Sequence, residues 1–205
     1  MRLDHIISEH IHPILKQAGF ARRRNIWNRQ RSEFIDVIDF QKSGTAPAGI
    51  ENFTMNVGIA MPLIHEMIWG KTTGGFFREV DCILRARVGQ LIDNDFKGGA
   101  LDRWWRIQNP EDETETTREL VNITNSVILP FLDRFDSLRS IEEFLAQANT
   151  WLSHYDLTKI QMGILKILVG KREEGFDLLL SEKHYQGKDW FEKAQKIGRK
   201  LQETV

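Results

Sequence analysis

The spacing of hydrophobic residues changes twice along the chain and divides it into three parts. Between residues 2 and 18 the apolar side chains fall at helical spacing and Gly19 ends the pattern, which predicts an amphipathic N-terminal helix. From Phe20 to about Ile107 the period of the apolar residues shifts to two, as in β-strands. After Pro110 the helical spacing returns and continues to the C-terminus. The pattern predicts the α+β fold class.

The middle part is predicted to form an antiparallel sheet of four to five strands flanked by helices. Aromatic and β-branched residues cluster at 20–28, 34–42, 53–60 and 80–88, and Gly, Pro and Asn residues separate these runs. Because turn residues between short strands favour hairpins, we expect neighbouring strands to be antiparallel. The short run RWWRI at residues 103–107 is expected to add an edge strand.

The last part is predicted to be an α-helical tail. A helix over residues 117–136 carries one apolar stripe. Ser140 and Glu143 have the spacing of a capping box that starts another helix, and Asp156 is placed to cap a further one.

Small and apolar residues recur in the tail at Gly163, at the turn Gly170-Lys171, at Gly175 and at Leu178–Leu180. In these positions the segment from about residue 156 onward resembles a tetratricopeptide-type helix pair. The likeness covers barely one unit, and such arrays need about three to bury a continuous core. We therefore expect a helical hairpin that packs on the sheet. The predicted domains are an α+β domain at residues 1–136 and an α-helical extension at residues 137–205, which can pack on the first as one unit.

Length and charge limit the function classes. The chain has 205 residues, of which 41% are hydrophobic and 28% are charged, as is ordinary for a globular protein with a sizeable core. Its formal net charge is -1, whereas proteins built to hold nucleic acid usually carry a strong positive excess. Nucleic acid is therefore not expected as a partner, and we expect a protein or a small anionic ligand instead.

Cysteine content and the N-terminus bear on localisation. Cys82 is the single cysteine, so the chain can form no internal disulfide, which favours a reducing compartment. The first residues mix charged and apolar side chains, unlike a signal peptide, and no window approaches the roughly 18 apolar residues of a membrane span. We expect a cytoplasmic protein with no membrane partner.

The segment FARRRNIWNRQR, residues 20–31, contains five arginines. On a single strand Arg22 and Arg24 would project to one side of the sheet and Arg23 to the other, so the arginines would not form one patch. Acidic residues that offer cross-strand ion pairs follow on the next strand: Glu33, Asp36 and Asp39. We favour a solvated and partly neutralised strand pair, and a phosphate-binding surface is the alternative.

Strict alternation along the other strands separates an apolar sheet face from a polar one. The predicted apolar face contains Phe53, Met55, Val57 and Ile59 on one strand and Cys82, Leu84, Ala86 and Val88 on another. We expect the first helix and the helix at 117–136 to cover this face. The predicted polar face contains Asp39, Gln41, Asn56, Gly58, Arg85 and Arg87.

The polar face is the main candidate binding site. Gly58 has no side chain and would let a ligand approach the backbone. Guanidinium and amide groups suit a carboxylate, a phosphate or an acidic protein surface. The alternative is that Arg85 and Arg87 pair with Asp36 or Asp39 on an ordinary wet sheet face.

Trp104 and Trp105 are a second candidate. Adjacent residues of a strand face opposite ways, so one tryptophan can enter the core while the other lies nearer the surface. Because aromatic and arginine side chains are enriched in binding hot spots, Arg103, Trp104 and Arg106 could form an interaction rim. The alternative is that the tryptophans serve packing alone.

No motif in the chain identifies a cofactor, a metal or a catalytic residue. The segment HEMIWGKT, residues 65–72, ends like a phosphate-binding loop, but His65 stands where that loop needs glycine. His5 and Glu9 share a helical face, yet the nearby histidines diverge from it and no His-Glu-x-x-His is present. There is no Gly-x-Ser-x-Gly nucleophile turn. We therefore predict no cofactor, no metal site and no catalytic residue.

Five segments in a fixed order carry a family resemblance. They are LKQAGFARRRNIWNR, FIDVIDFQKS, FTMNVGI, CILRARVGQL and RWWRI, which span residues 15–107, and ILPFLDRF extends the likeness to about residue 136. In these segments the chain resembles the domain-of-unknown-function family 4304. The resemblance implies an α+β fold and a bacterial cytosolic setting, but no activity. The family's second strand commonly ends Asn-Phe-Gln-Lys-Ser, and Asp39 stands here in place of that asparagine.

The sequence thus predicts a noncatalytic binding or interaction protein that uses the polar, arginine-bearing sheet face. A toxin-neutralising immunity protein is one concrete version, motivated by small size, mixed charge and the absence of catalytic motifs. The predicted binding residues are Asp39, Gln41, Asn56, Arg85, Arg87, Arg103 and Trp104. The alternative is a small hydrolase or nuclease assembled from Asp36, Asp39, Arg85 and Arg87.

Overall fold

Short strands form one antiparallel sheet at the centre of the chain. The computed structural model describes residues 2–70, 74–93, 102–148 and 155–204. The strands are β1 (Ala21–Arg23), β2 (Ile26–Gln30), β3 (Ile35–Lys42), β4 (Glu51–Ala60), β5 (Leu84–Arg87) and β6 (Trp105–Ile107). They lie in the order β1-β2-β3-β4-β5, and β6 pairs with the other end of β4. The predicted α+β fold with an antiparallel sheet is confirmed.

The predicted strand at residues 20–28 is in fact a hairpin, which adds a strand to the sheet. Arg24 and Asn25 form the turn between β1 and β2, and Arg24 has a φ of 59°. This left-handed backbone helps a two-residue loop to reverse the chain. Alternation therefore ends at Arg23, and Arg24 lines the same cavity as Arg23 instead of sharing a side with Arg22.

Helices precede, interrupt and follow the strands. They are α1 (Arg2–Ile6, Ile7–Ile11 and His12–Gln17), α2 (Pro62–Trp69), α3 (Val88–Asp93), α4 (Pro110–Ile123, Thr124–Ile128 and Leu129–Asp133), α5 (Leu138–Ala148), α6 (Asp156–Leu168), α7 (Arg172–Leu180) and α8 (Lys188–Thr204). Short 3₁₀ turns lie at Glu79–Asp81 and Glu182–His184. Within the described ranges, no helix has both the length and the apolar character needed to cross a membrane.

Both α1 and α4 contain a π-helical turn close before a proline. The π-helical turns are Ile7–Ile11 and Thr124–Ile128, and Pro13 and Pro130 lie just after them. Proline has no N–H, and its ring clashes with an α-helical carbonyl four residues back. The wider π-helical turn accommodates the proline, so each helix continues past it.

Two predicted helix caps differ from the observed ones. Ser137 caps α5, because its Oγ accepts a hydrogen bond from the Ser140 N–H at 3.3 Å, so the predicted capping box of Ser140 and Glu143 is wrong. Asp156 is the first residue of α6 and does not cap it. Its carboxylate instead accepts hydrogen bonds from the backbone of residues 186–187, at 3.1 and 2.9 Å. Asp156 therefore joins the start of α6 to the segment before α8.

The apolar sheet face carries the main core. Four aromatic rings follow one another across the strands, with centroids 5.4, 6.1 and 5.5 Å apart. They belong to Trp27, Phe40, Phe53 and Trp105. α1 and α4 add buried residues to the same cluster, as expected for the helices that cover this face. Burial of these large rings provides much of the hydrophobic stabilisation of the sheet.

A smaller apolar cluster lies on the opposite sheet face, beneath the segment that leads into β5. Its buried members are Ile35, Val37, Ala60, Phe77 and Cys82. Asn28 holds this segment in place, because its side-chain amide donates to the Phe77 carbonyl at 3.0 Å and accepts from the Phe77 N–H at 2.6 Å. The predicted polar face is therefore partly apolar and partly covered.

Strict alternation misplaces Cys82, and it puts Gly58 on the correct face but suggests the wrong role for it. β5 begins only at Leu84, so Cys82 lies on the second face, and Ile83 joins the main core. A Cβ on Gly58 would lie 2.7 Å from the Cys82 sulfur and 2.8 Å from the Leu84 carbonyl oxygen. Gly58 therefore makes room for the chain's own Cys82 and not for a ligand.

The C-terminal helices share the main core. Their residues in the same buried cluster include Ile160, Ile164, Leu165 and Leu179. α6 and α7 meet at two glycines, because a Cβ on Gly175 would lie 2.6 Å from the Gly163 carbonyl oxygen. The division into domains at residues 1–136 and 137–205 stays a prediction.

Candidate functional site

Five of the seven predicted binding residues line one pocket on the second sheet face, which we call the sheet pocket. The cavity has a volume of about 280 Å³. Its lining residues are Asp39, Gln41, Asn56, Arg85 and Arg87, together with Glu79, Val80 and Ala86. The structure thus brings five predicted residues together, and a ligand at this place stays a prediction.

Strand pairing explains how these residues meet. Asn56 in β4 lies opposite Asp39 in β3 on one side and opposite Arg87 in β5 on the other. Cross-strand partners in an antiparallel sheet point to the same face, so three strands supply one row of polar groups. The Asn56 amide also donates to the Gln41 side-chain oxygen at 3.0 Å, which orients both amides.

Arg87 is held by long contacts. Its Nη1 lies 3.4 Å from Asp102 Oδ2 and 3.5 Å from Gln41 Oε1, and its guanidinium carbon lies 6.0 Å from the centre of the Trp104 ring. A strong charge-assisted hydrogen bond measures about 2.7–2.9 Å. The Arg87 side chain, which is 34% exposed, can therefore exchange its present partner for a better one.

Arg85 is held more firmly by a residue that the sequence analysis missed. Its Nε donates to Glu79 Oε1 at 2.5 Å, and both side chains are largely buried. Glu79 lies in a 3₁₀ turn, where alternation carries no information, so no periodic signal points to it. The described acidic partners of Arg85 and Arg87 are thus Glu79 and Asp102, and not the predicted Asp36 or Asp39.

Asp39 has an unusual environment for a carboxyl group. Burial, followed by the negative charge of Glu79, raises the pKa of Asp39 from 3.8 to about 6, and Arg78 opposes this in part. No hydrogen bond from a described residue contributes to this shift. Asp39 therefore changes from hydrogen-bond donor to acceptor close to neutral pH.

Replacing Asp39 by asparagine is expected to stabilise the fold at neutral and alkaline pH. The pKa of Asp39 is raised in the folded protein. Asp39 therefore opposes folding least at low pH, where it is protonated in both the folded and the unfolded state. The free energy of unfolding of the wild type falls as the pH rises from 3.8 to about 6. The full shift is worth roughly 3 kcal/mol, and solvent screening of this partly exposed group reduces the expected gain to about 1–2 kcal/mol.

Urea unfolding of Asp39→Asn at roughly pH 4.5 and roughly pH 8 measures this gain. The gain should be larger at the higher pH. The exposed Asp93→Asn is the matched control and should not show the difference. Equal gains for Asp39→Asn at both pH values would contradict the raised pKa.

The predicted tryptophan rim is only partly formed. Trp104 is 41% exposed and its indole N–H donates to Asp102 at 2.9 Å, whereas Trp105 is 4% exposed. The two tryptophans thus face opposite ways. Arg103 does not join the sheet pocket, because its Nη2 pairs with Glu119 of α4 at 2.6 Å and its guanidinium lies over the Trp105 ring.

Asp36 lies on the other sheet face. It is fully buried, and its Oδ2 accepts hydrogen bonds from Arg29 Nε at 2.7 Å and from Arg31 Nε at 3.0 Å. The arginine-rich segment thus forms the expected ion pairs with the next strand, but the carboxylate they share is buried and not solvated as predicted. The alternative hydrolase or nuclease site is therefore divided, because the sheet separates Asp36 from its other three residues.

Metal and thiol chemistry find no support in this site. No three histidine, cysteine, aspartate or glutamate side chains are placed to hold a metal ion within the ranges that the structure describes. Burial, followed by the negative charges of Glu79 and Asp81, raises the pKa of the Cys82 thiol well above its ordinary value. A protonated and enclosed thiol is a poor nucleophile, so Cys82 acts in packing.

Comparison with known families places the chain in one of them. The family described as Domain of unknown function (DUF4304) matches residues 11–134, more than half of the 205 residues. The chain belongs to this family. The DUF4304 region contains β1 to β6 and every residue of the sheet pocket, whereas α5 to α8 lie beyond it. Neither the curated proteins nor the solved structures give a match, and the DUF4304 description assigns no activity.

Proposed function

We propose that the chain is a noncatalytic binding protein of the bacterial cytoplasm that recognises an acidic group of a partner protein through the sheet pocket. The observation that carries this proposal is the convergence of Arg87, Asn56 and Gln41 beside the exposed Trp104. A loosely held guanidinium, two amides and an indole ring form a combination that suits a carboxylate at a protein interface.

The size of the sheet pocket favours one side chain over a larger ligand. Pockets for small molecules usually measure about 300–1,000 Å³. The sheet pocket, at about 280 Å³, lies just below this range. Val80 and Trp104, which are 52% and 41% exposed, lie beside it and offer apolar surface to a partner. An acidic side chain in the pocket with apolar contacts around it is therefore the best-matched occupant.

Arg87→Gln is expected to weaken capture of the partner by about tenfold to a hundredfold, the usual value of a hydrogen bond to a charged group. The measurement uses the whole chain as bait in a lysate of its source cells, with quantitative mass spectrometry of the captured proteins. Arg118→Gln is the matched control, because Arg118 is exposed on α4 and does not line the pocket. Equal capture by Arg87→Gln and the wild type would reject the sheet pocket as the binding site.

Asp102→Asn tests the same site in the opposite direction. Asp102 competes for Arg87, so its neutralisation should strengthen binding of an incoming carboxylate by a few-fold. A titration with acetate, in which NMR follows the chemical shift of the Trp104 indole N–H, measures carboxylate binding without knowledge of the partner. Acetate shifts that do not change in Asp102→Asn and Arg87→Gln would count against carboxylate recognition.

A toxin-neutralising immunity protein is one specific version of this proposal. It requires that the protein captured through Arg87 be a toxin whose activity the chain suppresses. The same capture experiment identifies the partner, and an activity assay with the purified pair then tests neutralisation. If the captured partner is not toxic, the proposed binding function stands and the proposed immunity role is rejected.

An acid–base hydrolase is the second candidate, and one observation favours it. Asp39, with its pKa of about 6, lies in the same pocket as Glu79, Arg85 and Arg87. A carboxyl group with a pKa near neutral can transfer protons, and neighbouring guanidinium groups can stabilise an anion. Under this candidate Asp39→Asn abolishes turnover of a hydrolase substrate panel, whereas under the binding proposal it leaves partner capture intact.

A further inference from the structure

A second cavity, which we call the hairpin cleft, lies between the β1–β2 turn, α2 and the start of α6. Its volume is about 660 Å³, within the range of about 300–1,000 Å³ that is usual for small-molecule sites. The residues that give it chemical character are Arg23, Arg24, Trp69, Arg78, Asp81 and Gln161. The family description assigns nothing to it, and of its lining residues it shares Val80 with the sheet pocket.

Positive charge dominates the hairpin cleft. Three arginines line it against one aspartate. Neither Arg23 nor Arg24 forms an ion pair with any described residue, and Arg78, which is 67% exposed, lies 3.5 Å from Asp81. Unneutralised guanidinium groups in a concave site attract an anion, and their planar donors match the oxygens of a phosphate.

The turn that carries these arginines is unfavourable for an arginine. Arg24 has a φ of 59°, which costs an L-residue roughly 1–2 kcal/mol and which glycine would adopt freely. A long cationic side chain is nevertheless present at the tip of the turn. Residues in such sparsely populated conformations cluster at binding sites, where the side chain has a use that offsets the strain.

The opposite wall of the hairpin cleft is aromatic and apolar. Trp69 is 44% exposed at the end of α2, and Phe76 and Leu157 are partly buried beside the same cavity. Lys193 Nζ lies over the Trp69 ring, 3.9 Å from its centre, so a planar heterocycle can stack only on the part of this indole that stays open, next to Phe76. The hairpin cleft therefore combines an anion-binding side with a ring-binding side.

Gln161 of α6 supplies the polar group between these two sides. The residue as a whole is 8% exposed, and its amide forms no hydrogen bond with the part of the chain that the structure describes. The polar atoms of this amide are not sealed from solvent, so a ligand in the hairpin cleft can reach them. Because the amide carries both donors and an acceptor and faces the hairpin cleft, it can pair with the edge of a heterocyclic base.

We propose that the hairpin cleft binds a mononucleotide. The phosphate contacts Arg23, Arg24 and Arg78, the base lies against Trp69, and Gln161 pairs with the edge of the base. This site is independent of the sheet pocket, because none of the residues that would contact the nucleotide lines that pocket. A nucleotide in the hairpin cleft would make the chain a ligand-responsive binding protein.

Isothermal titration calorimetry of the whole chain with AMP, GMP, CMP and UMP in turn tests the proposal. We expect at least one of the four nucleotides to bind. The double variant Arg23→Gln with Arg24→Gln should bind that nucleotide at least about tenfold more weakly than the wild type does. Inorganic phosphate and the matching nucleoside should each bind at least about tenfold more weakly than the nucleotide, because each makes half of the contacts. Arg118→Gln is the control and should bind as the wild type does.

Gln161→Leu separates base recognition from charge. This substitution removes the amide without opening a cavity. It should therefore weaken binding of the nucleotide by about threefold to tenfold and leave binding of inorganic phosphate unchanged. Absence of binding by all four nucleotides would overturn the proposal. So would equal binding by the double arginine variant, or phosphate that binds as tightly as the best nucleotide. Should the double variant fail to fold, the Gln161→Leu comparison alone decides, and unchanged nucleotide affinity in it overturns base recognition.

Discussion

Alanine in place of Gly58 is expected to lower the free energy of unfolding by about 3 kcal/mol, although it adds only one methyl group. The new Cβ would lie 2.7 Å from the Cys82 sulfur and 2.8 Å from the Leu84 carbonyl oxygen. The carbonyl belongs to the backbone of β5, so relief of the overlap requires β5 to move away from β4. For a chain of this size we expect the melting temperature to fall by roughly 6–12 °C.

Gly44→Ala is the matched control for this variant. A Cβ on Gly44 meets no atom within 4 Å, so its effect should stay within about 0.5 kcal/mol. Movement of β5 would also displace Arg85 and Arg87, so Gly58→Ala should weaken partner capture as well. Equal melting temperatures for Gly58→Ala and Gly44→Ala would show that β4 and β5 do not pack as described.

Glu142→Ala is expected to cost about 3 kcal/mol or more, because it removes the centre of a buried ion-pair network. The Glu142 carboxylate is fully buried in α5 and accepts hydrogen bonds from Lys166 at 2.8 Å and from Lys171 at 2.5 Å. Without it, Lys171 loses its described acidic partner, and Lys166 keeps only the largely exposed Glu174. The network joins α5 to α6 and to the turn before α7, so its loss should loosen the C-terminal helices.

The pH dependence of this effect has a definite sign. Burial alone would raise the pKa of Glu142, but the hydrogen bonds and charges of Lys166 and Lys171 outweigh it and lower the pKa below its ordinary value. A lowered pKa contributes stability above the ordinary value of 4.5, and this contribution is lost as the pH falls through the folded-state pKa. The difference between wild type and Glu142→Ala should therefore be largest near neutral pH and shrink in acid.

Glu143→Ala separates the ion pairs from helix propensity. Glu143 is the next residue of α5 and is exposed, so its replacement changes the same charge and the same helix without breaking the network. Urea unfolding at neutral pH should show a change within about 0.5 kcal/mol. If Glu142→Ala costs no more than Glu143→Ala, the buried network contributes nothing measurable.

The sheet was predictable where alternation was long and failed where turns were short. β3 and β4 match the predicted runs at 34–42 and 53–60 closely, because each alternates over a whole strand. The β1–β2 turn was missed because Arg24 and Asn25 carry no glycine signal. α4 begins at Pro110 and not at residue 117, because its cap is polar and its first turns are acidic, so the apolar stripe starts late.

The candidate site was predictable in its residues but not in its contacts. Alternation put Asp39, Asn56 and Arg87 on one face, and the strand register does make them neighbours. It could not reveal Glu79 or Asp102, which reach the two arginines from outside the strand pattern. Alternation also assigned Arg103 to the binding site, whereas Arg103 pairs with Glu119 on helix α4.

Periodicity by itself determined the fold class, the division into an N-terminal helix, a sheet region and a helical C-terminal part, and the side of the sheet on which each long strand places its polar groups. These are local properties, because the direction of a side chain follows from the backbone geometry of its own element. Only the tertiary structure decided which charges meet, why Gly58 is a glycine and how Arg23, Arg24 and Gln161 come to share one cleft. Such contacts join residues far apart along the chain, and their energies depend on burial and distance, which no local pattern encodes.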